Sequence, residues 1–456
     1  MNVPAMLHGL RTMASAGALL GGLALGAFAQ EPRPMPPGPE PDTVETLPAL
    51  PIPRTEPTAR IQELSVETLV SQVLTRNPSL AEMTAAWQAA RARYPQVTSL
   101  EDPTFAATIG PGTIAPDDPG INFAYRLEIA QKLPYPGKLQ LRGNQAQAEA
   151  SAAGHEVEAT RLQLTESARQ AFYDYYLVDR ALAVNAEGLG LLREFRKNAN
   201  TRYVNGVAPQ QDILQADLEI GRQGERELVL ERMRTVARAR LNTLLHQPPD
   251  AALAPPPTEL KLGNPLPPVA ALREQALARR PDLQAEADRI RAEESALGLA
   301  HKDFYPDFEP FFMYDRFMGN MPANKDLAPM LGVRLNLPVY QARRCAAVAE
   351  AEARIAQRRA ALARLVDQVS FQVQEAYAQV QQSERTVRLY EETILPAAQR
   401  NVQSAQTAYV TAKIPFLSLI EAERSLVELR DRYYEAVADY FRRRATLERA
   451  AGLASL

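Results

Sequence analysis

The chain has 456 residues, with 51 basic and 54 acidic side chains, a formal net charge of -3 and a single cysteine. That near balance gives no electrostatic footprint for nucleic acid or a polyanionic substrate, and one cysteine excludes any disulfide within the chain. The length allows two or three ordinary domains. Beyond the N-terminus no run of about 18 apolar residues is present to make a spanning helix.

The first segment reads as an export signal covering residues 1–29. Arg11 supplies a positive charge, Ala14 to Leu25 an apolar run, and Ala27-Phe28-Ala29 a small-x-small cleavage pattern that leaves Gln30 first. A short membrane anchor is the alternative, but the run is shorter than a bilayer needs. Residues 30–60 follow, with Pro32, Pro34, Pro36, Pro37, Pro39 and Pro41 crowding one end. Such a segment propagates neither helix nor sheet ladder, so an extended lead-in is expected.

The first repeat is expected over 61–246. Ser65, Thr68, Leu69, Val73 and Leu74 open a predicted helix that runs to about Arg93. Thr104 to Ile109 and Ile121 to Ile129 then show period-two alternation across a Gly- and Pro-rich loop, the pattern of a hairpin. From Lys138 to Tyr203 the register is helical throughout; Ala171, Tyr175, Val178, Leu182, Asn185, Leu189 and Leu192 keep steps of four and three. A helix of that length measures roughly 100 Å. A turn at Asn205-Gly206-Val207-Ala208-Pro209 leads into a shorter helix from about Asp212 to Leu245, and a Pro-rich connector fills 247–268.

The second repeat, 269–456, restates the first. Asn77-Pro78 recurs as Arg280-Pro281, Leu133-Pro134 as Leu337-Pro338, and Tyr203-Val204-Asn205-Gly206 as Tyr409-Val410-Thr411-Ala412, at nearly constant offsets. Its predicted elements are a helix from Val269 to Lys302, strands Phe308 to Tyr314 and Leu331 to Leu337, a long helix from Ala342 to Tyr409 interrupted only by Pro396, and a closing helix from Phe416 to Ala451. Each long helix matches two shorter ones end to end, giving a helical wall with hairpins at one end and turns at the other. Four strands do not close a barrel, which needs about eight, and an open sheet in lipid exposes edge amides costing several kcal/mol each. Several chains therefore share one barrel; a soluble sheet packed on helices is the competing reading.

In their order and spacing these features resemble the TolC family of outer membrane efflux proteins, from about Ser65 to Gly452. The resemblance rests on the paired repeats, Leu133-Pro134-Tyr135-Pro136-Gly137-Lys138, Arg202-Tyr203-x-x-Gly206 with Asp212-Ile213-Leu214-Gln215-Ala216, and the ending Arg444-Ala445-x-Leu447-Glu448. It implies a mainly α chain with four strands, a homotrimer whose long antiparallel helices form an α-barrel, and a shared twelve-stranded transmembrane β-barrel. It implies an outer-membrane location with a periplasmic helical extension, contact with outer-membrane lipid, a periplasmic adaptor and an inner-membrane pump of the RND type. Catalysis, cofactor and resident metal are not expected. A type I protein-secretion duct and a periplasmic coiled-coil scaffold or adaptor are the alternatives; the scaffold leaves the strands unexplained.

The resemblance places the two helix turns at the periplasmic aperture, where adaptor tips dock. The candidate residues are Gly206, Val207, Asp212 and Gln215 in the first repeat and Ala412, Lys413, Ser418 and Glu421 in the second, with Asp217 and Glu423 nearby. Glu421 matches a position that is often acidic in the family, whereas Ser418 replaces the other, which weakens any acidic ring. A carboxylate favoured early in a helix explains Asp212 and Glu421 as well. Gly206 suits a positive φ at a helix end; Ala412 lacks that freedom, so a tighter or differently bent second turn is expected. Met313, Met318, Met321 and Met330 cluster around the second hairpin, and thioethers suit monovalent copper, although apolar filler is the commoner use of methionine. The proline-rich exit at 134–138 is similar to that of heavy-metal branches of the family. Metal cation, drug and protein all remain open as cargo.

Overall fold

The computed structural model describes residues 63–110, 121–319, 329–411, 413–453 and 455. The expected export signal, the Pro-rich lead-in, the hairpin loops at 111–120 and 320–328, and Ala412 lie outside them. Among the described residues no helix is long and apolar enough to cross a membrane.

The first repeat opens with two helices rather than the single one expected, α1 (Val66–Arg76) and α2 (Pro78–Thr98). The break has a local cause. The ring of Pro78 disfavours helical geometry in the residue before it, and Asn77 is extended at φ -70°, ψ 124°. Asn77 uses that kink: its side chain accepts from Ser79 N–H at 3.0 Å and donates to the Leu244 carbonyl at 3.0 Å. The second repeat breaks identically between α5 (Val269–Arg279) and α6 (Pro281–Lys302), with Arg280 at φ -63°, ψ 123°.

Strands β1 (Thr104–Gly110) and β2 (Ile121–Ala130) pair antiparallel, as do β3 (Phe308–Gly319) and β4 (Met330–Leu335). The last strand therefore stops two residues short of the expected Leu337, while β3 runs five residues beyond Tyr314. The two hairpins merge, because β2 pairs with β3, giving one sheet in the order β1-β2-β3-β4.

From the sheet the chain runs through α3 (Lys138–Val204), one unbroken helix of 67 residues, and returns through α4 (Gln210–Leu244). The matching register of the second repeat is not continuous. It comprises α7 (Gln341–Leu389), a π-helical turn (Tyr390–Ile394) and α8 (Leu395–Val410), followed by α9 (Phe416–Ala450). Pro396 explains the difference. It has no N–H to offer residue 392 and its ring crowds that carbonyl, so the preceding turn widens to absorb the misfit without ending the helix.

α3 packs on α1, α2 and α6 and on α4 and α9, so two shorter helices cover one long one. The core is spread along this wall in patches. Leu69, Val73, Phe172 and Leu241 fill one, Tyr176, Val369, Val380 and Tyr440 a second, and Leu192, Phe195, Phe416 and Leu419 a third near the turns. Alanines in the seam, such as Ala168, Ala171, Ala376 and Ala438, let the helices approach closely.

Candidate functional site

At the end of α3 farthest from the sheet, Gly206 adopts φ +72° and the chain reverses. Val207 N–H reaches the Arg202 carbonyl at 2.9 Å and Gly206 N–H the Tyr203 carbonyl at 2.9 Å, which satisfies carbonyls the helix leaves open. In the second repeat Lys413 N–H reaches the Ala408 carbonyl at 2.8 Å, the counterpart of the Val207 bond. The closing bond is thus the same in both turns. Val207 and Lys413 are exposed at the tips, and Gln215 is half-buried on α4.

Asp212 does more than favour a helix start. It is buried, and the Tyr409 hydroxyl of the second repeat donates to its Oδ2 at 3.1 Å. Burial, then the bond to Asp212, pushes the Tyr409 phenol up to about 12, so the hydroxyl keeps the proton it donates. Arg202 completes the seam. Its Nη1 donates to the carbonyls of Tyr409 at 2.5 Å and Val410 at 3.0 Å, and its guanidinium lies 4.7 Å from the Tyr409 ring centre. Sequence reading used Arg202 and Tyr409 only as repeat landmarks; the residues that differ between repeats at those positions, Arg202 against Ala408, were the available signal.

Ser418 and Glu421 lie one turn apart on α9 and line one cleft with Asn401, Ser404 and Ser425. Glu421 is exposed. The structure joins Asp212 to the second repeat but does not bring it to Glu421. Further along α4, Glu219 is buried and accepts from Arg424 at 2.7 and 3.3 Å and from Arg222 at 3.4 Å. Burial alone would raise its carboxyl; the two guanidiniums outweigh it and hold Glu219 below the usual carboxylate range. Glu423 presents the opposite case. It is 2% exposed, its Oε2 has no hydrogen-bond partner among the described residues, and burial pushes its carboxyl up, with Arg430 pulling only weakly against that.

At the other end, the register of the sheet separates two faces. Directly paired residues share a face. One face carries Phe105, Ile109, Leu127, Ile129, Phe308, Phe312, Leu331, Val333 and Leu335, all exposed, from 37% at Phe308 to 85% at Leu331. Arg316 is the only charge that register assigns to it among the described residues. The other face carries Arg126, Glu128, Glu309, Asp315 and Arg334, joined in pairs. Arg126 grips Asp315 through two bonds of 2.7 Å, and Arg334 bonds Glu309 at 2.9 Å and also Glu128.

The junction between sheet and helices is pinned at Lys138. This lysine is buried, with Asp303 at 2.9 Å and Asp307 at 3.0 Å from its Nζ. Gly137, at φ +90°, makes the corner that delivers it, and Tyr135 stacks on Tyr305 with ring centres 4.6 Å apart. Sequence reading took 134–138 only as an exit motif; a lysine at the start of a helix, two residues after Pro136, was the trace of this cage.

The sheet thus has an exposed apolar face backed by a charged one, and the helical wall continues from it. The family model for outer membrane efflux proteins matches residues 69–246 and 272–453, and the chain belongs to that family. The solved outer-membrane channel OprN superposes with a TM-score of 0.72 at 21% identity, covering 85% of this chain and 89% of that one. VceC of Vibrio cholerae gives 0.71 at 20% identity, covering 85% and 96%. The open state of the MtrE channel of Neisseria gonorrhoeae gives 0.70 at 17% identity, covering 85% and 89%. Comparison with curated protein sequences gives no significant match. The protein is an outer-membrane duct of the tripartite efflux class, with its helices extending into the periplasm. Its family is one of transport channels that work with adaptors and inner-membrane pumps and are generally trimeric.

Proposed function

We propose that three copies of this chain close one twelve-stranded barrel and one helical tunnel, and that the turns at Gly206 and at residues 412–413 form the periplasmic aperture. The observation that carries this reading is the sheet. Nine exposed apolar side chains face one way, and β1 and β4 each have a single neighbour. In hydrocarbon those two open edges are costly unless β4 of one copy meets β1 of the next. Support comes also from α4, where Leu214 and Leu218, and further on Val229, Met233 and Val236, form two exposed apolar patches at steps of three and four. α3, the equivalent of α7–α8, packs on α9, the equivalent of α4. By the same relation, α4 packs on α7–α8 of a neighbouring copy.

In this reading the adaptor docks on the exposed tips around Val207 and Lys413, and an inner-membrane pump of the RND type delivers cargo through it. Three copies of Glu421 near the axis attract cations, and Ser418 leaves that ring with fewer charges than a doubly acidic one. No bond is made or broken during passage, and no cofactor takes part. The same reading keeps residues 1–29 as export signal, 30–60 as spacer, 61–246 and 269–456 as repeats and 247–268 as their connector.

Membrane fractionation with crosslinking tests it. An outer-membrane species that runs as a crosslinked trimer, beginning at Gln30 on N-terminal sequencing, is expected. A freely soluble periplasmic monomer overturns it.

A further inference from the structure

The sheet register brings two thioethers together on the charged face. Met313 pairs with Met330 across β3 and β4, and with Glu128 across β2 and β3. Both methionines are half-buried and share the face of Arg126, Asp315 and Arg334. Cβ atoms of directly opposed residues lie about 5 Å apart, so two flexible side chains of this length reach one common atom. Glu128 is occupied elsewhere, because Arg334 bonds it while lying 4.5 Å over the Phe311 ring.

Use as filler fits this pair poorly. The exposed apolar positions of the strands are Phe, Ile, Leu and Val on the opposite face, and neither methionine is among them. The face also carries Phe311, Gly332 and Ala130, but beside the paired charges of Arg126, Asp315 and Arg334 two adjacent soft donors are a chemical exception. Thioethers select monovalent copper and silver over harder cations, and two sulfurs suit the low coordination number of these ions. Two uncharged ligands also hold an ion loosely, which a transit point requires, since binding must be weak enough to release. The pair gains this meaning only if the sheet is a duct wall, so the inference rests on the function proposed above.

We propose that Met313 and Met330 form a soft-cation contact on the barrel wall, taken by monovalent copper or silver in passage. Met318 lies in a part of β3 whose side chains are not described, and Met321 lies outside the described residues, so neither enters the argument.

The test uses the purified full-length trimer in detergent with silver ion as probe. Cys345 is an exposed thiol that binds silver on its own, so all proteins carry Cys345→Ser. Silver bound at equilibrium, by dialysis against a fixed free silver concentration, is measured with and without Met313→Leu plus Met330→Leu, a volume-conserving pair of changes. Loss of about one silver ion per chain, with zinc retention equal in both proteins, is the expected result. Equal silver in both proteins overturns the site and leaves the duct standing. Potassium conductance of the Cys345→Ser trimer in planar bilayers separates the two failures: a trimer that does not conduct sinks the duct and the wall site with it. Should the double variant not assemble, Met330→Leu alone is read for the same loss.

Discussion

The closing helices of the two repeats, α4 and α9, occupy equivalent places and treat the acidic residues of their first turns in opposite ways. At an offset of 206, Asp212, Asp217 and Glu219 on α4 correspond to Ser418, Glu423 and Ser425 on α9. On α4 each acid has a partner: Tyr409 for Asp212, Arg196 for Asp217, and Arg424 with Arg222 for Glu219. On α9 two of the three have become serine, and Glu423 is buried with an orphan oxygen. Its missing partner can be named. The counterpart of Arg196 is Val402, which packs in an apolar cluster with Ala422 and Leu426. Duplication supplied two similar helices, and the side chains then diverged so that Asp212, Asp217 and Glu219 have polar partners while the start of α9 packs on α8 through the apolar patch of Val402, Ala422 and Leu426. In the proposed trimer, an aperture ringed by alternate repeats would have two kinds of joint.

That difference is broken most strongly at Glu219. Replacing it with Ala removes a buried acceptor together with its charge-assisted bonds to the half-exposed Arg424 and Arg222, and a loss of about 2 kcal/mol is expected. The denaturant midpoint of the detergent-solubilised protein reads it. Ser425→Ala at the equivalent place is expected to change stability by less than about 0.5 kcal/mol. Equal effects at the two positions would dissolve the distinction. Next in size is Tyr409→Phe, which removes the donor from buried Asp212 and is expected to cost about 1–2 kcal/mol. It also frees one contact between α4 and the second repeat, so single-channel recordings are expected to show more frequent opening. Tyr203→Phe, whose hydroxyl belongs to a 44% exposed side chain, is expected to do neither.

Much of this architecture was legible because it is periodic. Long runs in steps of three and four name helices, strict alternation names strands, and the repeat offsets pair the halves. What escaped notice was decided by single backbone atoms or by contacts across the chain. Pro78 and Pro281 stand plainly in the sequence, but a proline that opens a helix and one that breaks it look alike there; the extended backbone of Asn77 and Arg280 separates them. Pro396 was noted as an interruption, yet whether the helix stops or widens depends on packing that holds α8 in line. Of the candidate residues, Asp212 earned a partner that no local pattern reveals, because Tyr409 lies 197 positions away. The methionines are legible as a cluster, but only strand register, which the residues of the strands do not spell out, shows that Met313 and Met330 share a face.

The smallest effect, and the sharpest on sign, is expected at Glu423. Burial raises its carboxyl in the folded state above its unfolded value, so the neutral acid is the form that folding favours. Its contribution is therefore fully present below the usual carboxylate range and is lost as pH rises through the raised folded value. Glu219 runs the other way: with its folded value held low, its contribution is present above the usual range and fades as pH falls through the depressed one. Glu423→Gln keeps the shape and removes the ionisation. The variant is expected to match the parent near pH 4 and to exceed it by about 1 kcal/mol at pH 8, where the parent must either bury a charge without a partner or hold a proton against the solvent. Denaturant midpoints of the two proteins across that range decide the matter. A parent that gains on the variant with rising pH would mean that Glu423 has found a cation in the assembled trimer, and that the two seams are alike after all.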